Sequence, residues 1–131
     1  MMNEKKNTIP CVCIDLKKHR VRIHKNTLRL LQNPRYIELL VNPKKQGFII
    51  RTSSNNKNAH HIMIEHLPAR KPYVELYSRE FIQEICSVSE KLEPYRSYRI
   101  EGCMSNGCDA AFFALEDSVV LNSGKDRTAY A

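Results

Sequence analysis

Arg20-Val-Arg-Ile-His24 alternates basic and apolar residues, and a strand turns successive side chains to opposite faces. Val21 and Ile23 therefore share one face, while Arg20, Arg22 and His24 share the other. The pattern predicts a half-buried strand with a cationic outer surface. Just upstream, Cys11-Val-Cys-Ile-Asp-Leu16 reads as a first strand and Lys17-Lys-His19 as the polar turn between the two. Downstream, Asn26 or Thr27 is expected to cap a short helix carrying Leu28, Leu30 and Leu31, and Asn33-Pro34 stops it. Tyr36 to Val41 is apolar and β-favouring, Asn42-Pro-Lys-Lys-Gln-Gly47 is a turn, and Phe48-Ile-Ile50 is the returning strand.

From Thr52 to Asn58 there is no apolar residue, which is the composition of a flexible connection. Two units are expected on either side of it, a basic module over 1–57 and an acidic module over 58–131. In the second, His61-Ile-Met-Ile-Glu65 and Tyr73-Val-Glu-Leu-Tyr77 read as strands separated by a Pro-punctuated loop. Ser78 is an N-cap, followed by a helix with Phe81, Ile82, Ile85, Cys86, Val88 and Leu92 at helical spacing, closed by Pro94. Ser97-Tyr-Arg-Ile100 and 110–115 flank a Ser105-Asn-Gly107 turn, a hairpin signal, and 122–131 reads as a frayed tail. Both halves share a strand, helix, hairpin order, which leaves a diverged internal repeat open. The expected class is α+β and β-rich.

The 131 residues, 42% hydrophobic and 27% charged, suffice for one compact core or two small ones. No stretch approaches the roughly 20 apolar residues that cross a bilayer, and no signal-type run follows Met-Met-Asn-Glu-Lys-Lys. A cytoplasmic location is the expectation, with the five cysteines reduced. The net charge is +7, unevenly spread: residues 1–57 carry 13 Lys and Arg against three acids, and 58–131 carry eight against 11. A field so one-sided concentrates anionic partners around the first half.

The stretch Ile14-Asp-Leu-Lys-Lys-His-Arg-Val-Arg-Ile-His-Lys-Asn-Thr-Leu-Arg-Leu-Leu31, with Tyr36-Ile-Glu-Leu-Leu-Val41 and Phe48-Ile-Ile-Arg51, resembles the AbrB/SpoVT swapped-hairpin family over residues 11–51. Asp15 ends the first strand, Arg20 starts the second, Leu28 and Leu31 lie in a short helix, and Glu38 lies in the hairpin, as in that family. His19 stands where the family has a Gly, and Ile23-His24 where it has Ile-Pro, so the loop and the helix entry must be built differently. The resemblance implies an interleaved dimer or an intrachain pseudo-dimer that holds DNA through its loop and second strand. By position, the DNA-binding residues would be Lys17, Lys18, Arg20, Arg22, Lys25 and Arg29. Charge alone points to the same residues. Lys and Arg neutralise phosphates and release counterions, and Arg20 and Arg22 suit bidentate contacts to guanine.

Other constellations are weaker. Cys11-x-Cys13 and Cys103-x4-Cys108 lack the usual zinc-knuckle spacing, even with His60, His61 or His66 as additional ligands. Cys108 and His66 are a loose nucleophile and base. None of the four glycines forms a phosphate loop. Glu75, Glu80 and Glu84 read as a solvated acidic face. Tyr73, Tyr77, Tyr95, Tyr98, Phe112 and Phe113 lie in the acidic half, which favours core or interface packing over base stacking. A DNA-binding regulator that is no enzyme and carries no metal or cofactor is the leading expectation. The alternative is a protein-interaction module, such as an antitoxin-like partner of an acidic protein.

Overall fold

The alternating segment becomes β2 (Arg20–His24), paired antiparallel with β1 (Cys11–Asp15) so that Ile14 faces Val21 and Asp15 faces Arg20. The computed structural model describes residues 8–54, 60–61 and 72–121. After β2 come α1 (Lys25–Leu30), β3 (Tyr36–Asn42), β4 (Gly47–Ser53), β5 (His60–His61) and β6 (Tyr73–Tyr77). They are followed by α2 (Arg79–Val88), β7 (Ser97–Glu101), β8 (Cys103–Met104), β9 (Ala110–Ala114) and β10 (Val119–Leu121). The fold is α+β and β-rich: two five-stranded antiparallel sheets, ordered β10-β7-β1-β2-β6 and β5-β3-β4-β9-β8, with few helices. No helix among the described residues is long and apolar enough to cross a membrane.

Each sheet turns one apolar face inward. Val12, Ile14, Val21, Ile23, Val74, Tyr98 and Ile100 come from the first sheet, and Ile37, Phe48, Ile50, Ala111 and Phe113 from the second. With Leu28 and Leu31 of the α1 region and Phe81, Ile82 and Ile85 of α2, they make one hydrophobic core. Phe48 is central to it. Its ring lies 5.1 Å from that of Phe113, nearly parallel, and 5.1 Å from that of Phe81, edge-on, the offset and T-shaped arrangements that aromatic quadrupoles favour.

The change in charge near Lys57 does not separate the sheets. β1 and β2 from before it pair with β7 and β6 from after it, and β4 pairs with β9. Nor do the two halves repeat one pairing scheme: β3 and β4 pair with each other, whereas β7 and β9 lie in different sheets. The chain crosses between sheets at Gly102, whose N–H donates to the carbonyl of Pro10 (2.9 Å). Only a residue without Cβ fits there, because a Cβ would lie 2.1 Å from the Phe112 carbonyl oxygen.

Several local expectations shift. His24, not Asn26 or Thr27, is the N-cap position of α1. Thr27 is fully buried, and its hydroxyl accepts from the Cys11 N–H (2.7 Å) and donates to the Cys11 carbonyl (2.9 Å), locking the helix to β1. α1 ends as expected before Pro34, through left-handed residues at Gln32 and Asn33. Thr52 and Ser53, expected in a connection, extend β4 by pairing with Ile37 and Tyr36. Ser78 caps α2, accepting from the Phe81 N–H (3.2 Å). That helix stops at Val88 rather than at Pro94, where Ser89 turns extended (φ −135°). The hairpin around Ser105-Asn-Gly107 joins β8 to β9, and the strand at 97–101 belongs to the other sheet. Of the strand expected over 61–65, only His61 is described, paired with Tyr36; the loop over 67–72 and the tail lie outside the described residues except for Pro72.

Candidate nucleic-acid interface

The outer face of the first sheet gathers side chains that are remote in sequence. β2 supplies Arg20, Arg22 and His24; β1 supplies Cys11, Cys13 and Asp15; β6 supplies Tyr73, Glu75 and Tyr77; β7 supplies Ser97, Arg99 and Glu101. Antiparallel register sets Arg22 opposite Glu75 and Arg20 opposite both Asp15 and Tyr77.

Charges on this face are matched within the chain. Glu75 Oε2 accepts from Arg22 Nε at 2.8 Å and lies 3.7 Å from Arg20 Nη1. Asp15 Oδ2 accepts from Arg20 Nη2 at 3.0 Å, and its Oδ1 accepts the Lys18 N–H at 3.0 Å, which ties the carboxylate to the β1–β2 turn. Arg99 pairs with Glu101 at 3.0 Å. Arg22 also stacks over the Tyr73 ring, 4.5 Å from its centroid, a cation–π contact that shields one face of that ring. Arg20 and Arg22, expected as free DNA contacts, are thus held by Asp15 and Glu75. Glu75, expected with Glu80 and Glu84 on one solvated face, is a half-buried strand residue, while the other two are exposed on α2.

The thiols and the imidazole nearby are uncharged at neutral pH. Burial pushes the Cys11 thiol up to about 11 against the pull of Arg99, and burial raises Cys13 as well. Burial, helped by Arg99, lowers His24. Cys13 Sγ and His24 Nε2 stand 4.0 Å apart, but neutral partners at that distance make a weak contact and no activated nucleophile. Cys103 and Cys108 belong to the other sheet's hairpin region, far in the topology from Cys11 and Cys13. Among the described residues no group of three His, Cys, Asp or Glu is placed to hold a metal ion.

Three exposed cations without acidic partners among the described residues sit at the turn end of the hairpin. Lys17 and Lys18 are exposed in the β1–β2 turn, and Arg79 is exposed just beyond β6. Two backbone hydrogen bonds bring these segments together: Ser78 N–H to His19 carbonyl (3.0 Å), and Leu16 N–H to Arg96 carbonyl (3.1 Å). The turn is made with His19 at φ 55°, the left-handed region where Gly is usual. Lys25 and Arg29 fall at the opposite end of β2, roughly 13 Å away along a five-residue strand, with Arg29 exposed and donating to Asn26 Oδ1 (3.3 Å). The six residues singled out from sequence thus divide into two end groups and a neutralised middle.

The chain matches no family model, no curated protein and no solved structure.

Two aromatic residues join this region. Tyr77, on the outer face of β6, is 62% exposed, and Tyr95, one residue from Arg96, is 82% exposed. Tyr98 and Phe113 are buried core residues, as the packing expectation has them. Tyr77 was legible from the alternation of Tyr73-Val-Glu-Leu-Tyr77, which puts Tyr73, Glu75 and Tyr77 on one face. That they flank Arg22 and Arg20 was not, because register between distant strands leaves no local signal.

Proposed function

We propose that this chain is a DNA-binding protein of the regulator kind, which meets the phosphate backbone at the β1–β2 turn end of the first sheet. The observation that carries this reading is the convergence of exposed Lys17, Lys18 and Arg79 on one edge of a protein of net charge +7. Such cations bind phosphates with little sequence information. Lys25 and Arg29 extend the contact at the far end of β2, and Arg20 and Arg22 order the surface.

The AbrB-like reading gains support from three details: the Asp15–Arg20 pair across the turn, the left-handed His19 where that family has Gly, and the position of the β1–β2 hairpin between strands from the second half.

The test is anisotropy of a labelled random duplex titrated with protein over about 50–200 mM salt, with wild type and a Lys17→Glu, Lys18→Glu double variant. Affinity should fall steeply with salt. Loss of two phosphate contacts should flatten the log–log slope by about 1.8. Folded wild type that fails to bind at low salt would turn the reading to an acidic protein partner.

A further inference from the structure

Starting from the nucleic-acid reading above, we infer that the outer face of the first sheet takes unpaired bases, with Tyr77 as the open stacking surface, so that the preferred ligand is single-stranded. The charge layout is the first reason. Over the face, Arg20, Arg22 and Arg99 are matched by Asp15, Glu75 and Glu101. With each guanidinium already paired, a phosphate laid there gains little net attraction, whereas an uncharged base needs none. Phosphates are drawn to the edge instead, where Lys17, Lys18 and Arg79 lack acidic partners among the described residues. A single strand can set its backbone on such an edge and turn its bases inward over the sheet. A duplex hides its π-faces in its own stack and presents phosphates on both sides.

The aromatic placement is the second reason. An edge-strand tyrosine pointing out of a sheet and 62% exposed keeps apolar area in water. Tyr73 on the same face is already covered by Arg22, so Tyr77 is the open ring, beside the cationic turn, with Tyr95 at the same end of the sheet. Any base can stack on such a ring. Between β1, β2, β7 and β10 the same face holds a pocket of about 90 Å³ whose lining includes Cys13, Asp15, Arg20, Arg22 and Ser97. That volume suits the polar edge of a base and not the whole ring. Arg20 and Arg22 in its wall bring guanidinium groups to the pocket, and Asp15 and Ser97 bring acceptors, so the lining offers hydrogen-bonding groups to a base edge.

The experiment compares labelled single-stranded DNA and RNA 12-mers with the matching duplex, for wild type, Tyr77→Ala, Tyr77→Phe and the Lys17→Glu, Lys18→Glu variant, each checked for an unchanged melting temperature. Single strands should bind more tightly than duplex. Tyr77→Ala should weaken them by roughly five- to hundredfold, the range for loss of one base–aromatic stack, and Tyr77→Phe should retain binding. With no Trp in the chain, tyrosine fluorescence should be quenched by oligo(dT) in wild type and less so in Tyr77→Ala. Duplex binding that equals or exceeds single-strand binding and ignores Tyr77→Ala would overturn this inference while leaving the DNA-binding proposal standing. If neither form binds at low salt, both fall. Single-strand binding that ignores Tyr77→Ala but is lost in the lysine variant would overturn the stacking role.

Discussion

Glu75→Gln tests whether the paired arginines are a masked cationic surface. The substitution preserves shape and leaves an oxygen that still accepts from Arg22 Nε, now 2.8 Å from the carboxylate, but it removes the charge that also holds Arg20 at 3.7 Å. Arg22 and Glu75 side chains are 33% and 25% exposed, so solvent screens the pair only in part, and its loss should cost about 1 kcal/mol. For a domain of this size that lowers the melting temperature by about 4 °C. Binding should move the other way. If one freed guanidinium reaches a phosphate, the salt slope steepens by about 0.9, and at roughly 0.1 M salt affinity rises about eightfold. The assay is anisotropy against salt, alongside thermal unfolding. A variant that loses stability with no change in slope or affinity would make Arg20 and Arg22 structural groups that phosphate never meets.

Thr27→Val should destabilise by about 2 kcal/mol in urea titration, since the Cys11 N–H and carbonyl both lose their partner in a fully buried site. Gly102→Ala should cost about 3 kcal/mol by the same measurement, because its Cβ would meet the Phe112 carbonyl and the Phe113 ring 2.7 Å away. His19→Gly should stabilise by about 0.5–1 kcal/mol, as relief of left-handed strain outweighs the entropy of an added glycine; a lower melting temperature would refute this. Cys11 should lower stability at alkaline pH. With its thiol raised from 9.0 to about 11, the folded state holds a proton that the unfolded chain has lost. Stability should therefore fall as pH rises from 9 towards 11, and a Cys11→Ala variant should lose that part of the slope.

Legibility in the sequence followed the range of the interactions. The β1–β2 hairpin, the β3–β4 hairpin and the Ser78 cap rest on neighbours within a few residues, and alternation or capping chemistry reveals them. What decided the candidate site is non-local: Glu75 neutralises Arg22 from 53 positions away. Strand residues alternate alike whichever partner they meet, so nothing in Tyr73-Val-Glu-Leu-Tyr77 says that β6 lies beside β2. Thr27 misled because Ser, Thr, Asp and Asn are read as caps when they precede apolar residues. Its hydroxyl was committed instead to the backbone of β1. The sheet-to-sheet crossing at Gly102 was invisible for a related reason, since a lone glycine between strands reads as any turn.

The hairpin between strands from the second half also sets a schedule for folding. During synthesis β1 and β2 leave the ribosome with both outer edges bare, and Glu75 follows Arg22 by 53 residues. At about 5–20 residues per second, that is roughly 3–10 s during which both strand edges are bare and Arg22 lacks its carboxylate, while Arg20 already has Asp15. Pairings between such distant segments also close slowly. The cationic outer row then does the work of a gatekeeper: like charges on nascent hairpins keep copies on neighbouring chains apart until β6 and β7 arrive to cover the edges.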